Sequence, residues 1–192
     1  MIHESVAIGA ADVLPLYNIE RHQHLFAAWA ASRAASVKGC RFKVEQGRKI
    51  LESSGFTPGF CQPGQLPAPA EMDAQHRRWR IQVIEAAKLH GRKFTDGVAA
   101  KLINVYLKSR FVCGGYHDHE RVCHLHPPID DELLKALILK NVGEHVKQWR
   151  EARRLRWSKF TSDQYELVIS LIRQSLNGQP LWQIEEHWKG NQ

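Results

Sequence analysis

The stretch that decides the fold is Asp96-Gly97-Val98-Ala99-Ala100-Lys101-Leu102-Ile103-Asn104-Val105-Tyr106-Leu107-Lys108. Over 97–108, Val98, Leu102, Val105 and Tyr106 recur every three or four residues, the period of one helix face. Lys101 sits inside this apolar run. Downstream, His126-Pro127-Pro128-Ile129-Asp130 leads into a second helix over 130–140, with Leu133, Leu134 and Leu137 facing the core. Outward from this pair, helical spacing also covers 20–37, where alanines mix with Leu25, Phe26 and Trp29. It covers 43–54, with Ile50 and Leu51 inward, and 72–90, with Trp79, Val83, Ala86 and Ala87 inward and Gly91 as the stop. The C-terminal third reads as helices over 142–154, 162–176 and 180–188, with Thr161 and Ser162 as caps for the second. Strand signal is slight and nothing repeats. The expectation is an all-α chain: one compact helical domain over 1–192, or two helical lobes with the Lys101 and Asp130 segments between them.

Two stretches interrupt the helices. Residues 56–71 concentrate Pro58, Pro63, Pro67 and Pro69 with Gly59 and Gly64, which cannot continue a helix. Residues 111–127 form a Cys/His-rich insertion containing Cys113, His117, His119, Cys123, His124 and His126.

Composition sets the outer limits. The 192 residues are 43% hydrophobic and 24% charged, ordinary for a soluble globular protein. No apolar run reaches membrane-spanning length and the N-terminus lacks a signal-peptide pattern, so a cytoplasmic protein with no membrane partner is expected. Four scattered cysteines do not make a disulfide framework. Lys and Arg number 27 against 20 Asp and Glu, a net charge of +7. That balance suits a polyanion, since basic side chains gain affinity by displacing counterions from phosphates.

Lys101 and Asp130 are the candidate catalytic pair. A neutral lysine amine attacks an anomeric carbon, and the Schiff base that follows permits strand cleavage by elimination. An ordinary lysine is protonated at neutral pH, so burial has to lower its pKa. A carboxylate stabilises positive charge developing on the sugar and helps move protons. The plain alternative is a surface lysine on an amphipathic helix and an aspartate that is only a helix cap.

Asp96-Gly97-Val98-Ala99-Ala100-Lys101 resembles the Pro-Gly-Val-Gly-x-Lys pattern of the helix-hairpin-helix DNA glycosylases, and Pro128-Ile129-Asp130 resembles their following proline-containing segment and aspartate. The resemblance is to the oxoguanine-glycosylase-like branch and covers the middle of the chain. Asp96 replaces the family's proline, Ala99 replaces its second glycine, and the Cys/His insertion lengthens the separation between lysine and aspartate. The resemblance implies a DNA partner, a flipped target base, Lys101 as nucleophile and Asp130 as its partner. It also implies that Gly97 and Ala99 approach a DNA phosphate through free helix-terminal amides.

The densest basic segment adds Lys147, Arg150 and Arg154 on one helix side, expected to follow a phosphate backbone; a solvated charged face is the alternative. The glycosylase chemistry requires no cofactor. The Cys/His loop is a candidate for zinc, with thiolates and imidazoles as tetrahedral ligands, although its spacing matches no strong zinc signature. His22 and His24 read as surface or capping residues. The competing functions are a noncatalytic DNA- or RNA-binding accessory protein, in which Arg could replace Lys101, and a protein-interaction module with an exposed apolar patch. The glycosylase reading requires Lys101 and Asp130 to meet in one cleft with basic walls.

Overall fold

A computed structural model describes residues 17–189, and it is all-α: among them no strand forms, only an isolated bridge between Val37 and Cys40. The helices are α1 (Ile19–Ala35), α2 (Val44–Ser53), α3 (Met72–Leu89), α4 (Asp96–Leu107), the single turn α5 (Glu120–Cys123), α6 (Asp131–Leu139), α7 (Val146–Leu155) and α8 (Ser162–Leu176). No helix among the described residues is long and apolar enough to cross a membrane.

The period read from 97–108 gives one apolar stripe, but α4 is covered on almost every side. Every residue from Gly97 to Asn104 is buried, and so are Tyr106 and Leu107. The reason is that two hydrophobic cores share this helix. The first core joins α1, α2 and α3 to one side of α4 and takes in Phe56, Leu66, Phe94 and Phe111. The second joins α6, α7 and α8, with Leu181 and Ile184, and Ala100 of α4 belongs to it. A helix apolar all round is a core helix, and small residues on α4 let both cores come close. Its start is fixed by Thr95, whose Oγ1 accepts the Val98 N–H at 3.2 Å and donates to the Ser158 carbonyl at 2.8 Å.

A buried polar chain ties α3, α4 and α8 together between the cores. Asp73, His76 and Arg80 lie on one face of α3 at spacings of three and four. His76 Nε2 donates to Asn104 Oδ1 (2.7 Å), and His76 Nδ1 accepts from Arg80 (3.0 Å). Asn104 Nδ2 donates to Tyr165 Oη (3.0 Å) and to the Pro127 carbonyl (2.9 Å). Tyr165 then donates to His126 Nδ1 (3.0 Å), and His126 Nε2 donates to Asp73 (2.8 Å). Each group in the chain has a partner, so the network fixes one arrangement of the three helices. Burial pushes both imidazoles down, His76 strongly. The hydrogen bond from His126 and another from Arg173 hold the Asp73 carboxyl well below the usual carboxylate range.

On α1 the alanines Ala27, Ala28, Ala31 and Ala35 are buried, while Phe26 is 58% and Trp29 50% exposed. Several expectations need correction. His24 is no surface histidine: it is buried, with Nδ1 at 2.9 Å from Tyr106 Oη and Nε2 at 3.1 Å from Glu52. Residues 111–127 are not one irregular insertion. α4 runs on into a π-helical segment, Lys108–Tyr116, that ends where Gly115 takes φ 94°, and α5 follows. The helix expected over 142–154 begins only at Val146, because Asn141, Gly143 and Glu144 all have positive φ. The last helix is a 3-10 segment, Leu181–His187.

Candidate functional site

Lys101 lies one turn into α4 and Asp130 precedes the first residue of α6, and the fold brings them together. Lys101 Nζ donates to Asp130 Oδ2 at 2.9 Å. Lys101 is only 6% exposed and Asp130 21%, so the lysine is not a surface residue. Asp130 is a helix cap as well: its Oδ1 accepts the Leu133 N–H at 2.9 Å. Oδ2 also receives the Trp188 indole N–H at 3.1 Å. The carboxylate is thus held from three directions, by α4, by its own helix and by the C-terminal segment. The Asn104–Pro127 hydrogen bond braces the segment leading to it.

The pair opens on a cavity of about 400 Å³, within the size range of small-molecule sites. Phe26, Ala30 and Ala34 of α1, spaced four apart, form one wall. The two alanines leave room, and Phe26 borders the space. Val105, Pro128 and Trp188 add apolar surface, while Lys108, Ser109 and Glu185 supply further polar groups. Lys108 and Glu185 form an ion pair, and Lys108 lies 6.0 Å from the centre of the Trp188 ring. Lys101 Nζ is 5.6 Å from the Trp157 ring centre. Burial pushes the Lys101 amine down and Asp130 opposes that shift. Burial pushes the Glu185 carboxyl up and Lys108 opposes it. The walls are therefore not basic, as the glycosylase reading had them: two cations meet two carboxylates on a mostly apolar lining. Phe26, Lys108, Ser109, Glu185 and Trp188 were not among the residues the sequence nominated as site residues.

The other nominated residues lie elsewhere. Gly97 and Ala99 are buried. A Cβ on Gly97 would stand 1.8 Å from the Trp157 carbonyl oxygen, and its N–H donates to the Phe160 carbonyl at 3.2 Å. This glycine lets the turn before α8 press against α4, and its amide is already engaged, as is that of Ala99, which donates to Thr95 O at 3.0 Å. Neither offers a free amide to a phosphate. The basic stripe divides: Lys147 borders an apolar groove with Leu155, Phe160 and Leu167, whereas Arg150 and Arg154 border a different, polar groove. Among the described residues, no three His, Cys, Asp or Glu side chains gather as metal ligands. The π-helix and α5 spread the Cys/His set apart: Cys113 is exposed, Cys123 donates to the His117 carbonyl, and His126 turns inward to Tyr165 and Asp73.

No family model, no curated protein and no solved structure matches this chain.

Proposed function

We propose that the chain is a cytoplasmic DNA glycosylase with AP-lyase activity, in which Lys101 is the nucleophile and Asp130 its proton-transfer and electrostatic partner. One observation carries the reading: a buried lysine amine, lowered in basicity by that burial, hydrogen-bonded at 2.9 Å to a carboxylate beside a cavity of about 400 Å³. Asp130 takes a proton from Lys101, and the amine's lone pair attacks C1′ of a flipped nucleotide. The C1′–N bond breaks, its electron pair leaves with the base, and Asp130 returns the proton to that base. The ammonium on C1′ gives a proton to O4′ as the C1′–O4′ bond breaks, leaving a protonated Schiff base. Asp130, ionised again, then takes a C2′ proton, and the electron pair of that C–H bond expels the 3′ phosphate by β-elimination. Trp188 and the Leu133 amide keep the carboxylate oriented throughout.

The test is borohydride trapping on duplexes carrying oxidised bases, uracil or an abasic site. The parent chain forms a covalent adduct and Lys101→Gln does not. Equal trapping by both, or none on any substrate, overturns the reading. A noncatalytic nucleic-acid-binding protein is the second reading. It is favoured by the net charge of +7 and by Asp130 already neutralising Lys101. It expects DNA affinity without trapping, unchanged in Lys101→Arg.

A further inference from the structure

α6 and α7 pack side by side and leave a groove of about 430 Å³ lined by Asp131, Ile138, Arg150, Arg153, Arg154 and Arg156. Two of its arginines are committed: Arg153 grips Asp131 through two hydrogen bonds of 2.9 and 3.2 Å, and Arg154 grips Glu151. Arg150 and Arg156 are exposed and have no carboxylate partner among the described residues. The groove thus carries two uncommitted guanidinium forks, which suit the paired oxygens of a phosphate better than a lone carboxylate or an apolar peptide.

Arg156 holds a second, independent observation. It ends α7 with φ 67° and ψ 113°, backbone that glycine adopts freely and an arginine only under strain. A glycine would end this helix better, so the chain keeps a side chain where the backbone argues against one. The groove also starts at Asp131, the residue after the site carboxylate: Asp130 turns to the Lys101 cavity and Asp131 to the arginines.

We infer that the α6–α7 groove is a phosphodiester-binding track, with Arg150 and Arg156 as its phosphate contacts, along which a DNA strand runs away from the Lys101 cavity. The inference rests on the nucleic-acid partner proposed above and not on the lysine chemistry.

The experiment is fluorescence anisotropy of a short labelled duplex against salt concentration, with parent chain, Arg150→Gln, Arg156→Gly and the double variant, and Lys49→Gln on α2 as a control. Each groove variant should lower the magnitude of the log–log salt slope by roughly one, the double variant by roughly two, and the control not at all. Arg156→Gly should at the same time leave Tm unchanged or raised, because it relieves the strained backbone. Unchanged slopes in the groove variants, or no duplex binding by the parent chain, overturn the inference. A fall in Tm for Arg156→Gly with its slope intact also overturns it, since Arg156 is then structural. Displacement of the duplex by polyglutamate as readily as by unlabelled DNA overturns phosphodiester as the ligand class. Borohydride trapping of the same variants separates the two readings. Trapping that persists with flat slopes removes only the track; slopes that fall without any trapping remove only the chemistry.

Discussion

Arg80 on α3 and Lys101 on α4 are both buried cations, and they are housed in opposite ways. Arg80 is 0% exposed and meets a fixed partner at every nitrogen: Asp96 at 3.2 Å, His76 at 3.0 Å, Ser162 at 2.7 Å and Glu166 at 2.6 Å. Its guanidinium also lies 4.7 Å from the Tyr165 ring centre. Lys101 has one carboxylate, one aromatic neighbour and an open cavity. Arginine does not give up its proton inside proteins, whereas a desolvated lysine does. The number of fixed partners, more than burial itself, separates a charge that braces the fold from one that borders a cavity.

The sharpest way to break this comparison is to delete each cation. Arg80→Met takes the guanidinium from Asp96 and from His76 Nδ1, while Glu166 keeps Arg77 and Ser162, and should cost about 3 kcal/mol in urea unfolding. Lys101→Met leaves Asp130 held by Trp188 and Leu133 and should cost about 1 kcal/mol. Equal losses would make Lys101 another structural brace. Acid comes next. The hydrogen bond from Arg77, joined by those from Arg80 and Ser162, holds the Glu166 carboxyl down to about 2. Its folded value lies below the ordinary 4.5, so the stabilisation is present above 4.5 and fades as pH falls toward 2, a loss on the order of 2 kcal/mol. His76 and His126 add to this from about pH 6.5 downward, because the unfolded chain then takes up protons that the buried rings resist. Thermal unfolding should show Tm dropping through both windows.

Lys101 titrates at the opposite end of the scale. Its folded pKa lies below the ordinary 10.5, so stability rises as pH climbs toward that value, and Lys101→Met should remove the rise. An effect between those of Arg80 and Lys101 is expected at Asn104. Asn104→Ala leaves the Pro127 carbonyl without its donor and breaks the chain between His76 and Tyr165, at about 2 kcal/mol by urea unfolding. Trp188→Phe should cost about as little as Lys101→Met, about 1 kcal/mol, by removing the indole N–H from Asp130. If Asp130 needs that N–H for orientation, the pH profile of Lys101 trapping should move while the fold stays intact.

Much of this was legible in the sequence, and the failures share a cause. The apolar period of α4 and the cap at Asp130 act over a few residues, so both helices could be read locally, whereas the meeting of Lys101 with Asp130 across 29 residues was expected only from the family resemblance. The cavity could not. Its other ion pair joins Lys108 to Glu185, 77 residues apart. The wall formed by Phe26, Ala30 and Ala34 depends on alanines, not aromatics, facing the core of α1, which hydrophobicity alone ranks the wrong way. Gly97 shows a subtler limit. A glycine beginning a helix suits close approach of any atom, and spacing does not say whether that atom is a phosphate or the Trp157 carbonyl of the same chain.

That contact has a consequence for the order of assembly. As a growing chain leaves the ribosome, α1 to α4 can gather into the first core early. The second side of α4, however, waits for the Trp157–Phe160 turn and for α8, and Asp130 waits for Trp188. Until nearly the last residues described here have been added, the lysine sits on a half-covered helix with its carboxylate only partly held. The Lys101–Asp130 pair is finished last, so a chain cut short soon after α6 would own both residues without the Trp188 bond or the far wall of the cavity.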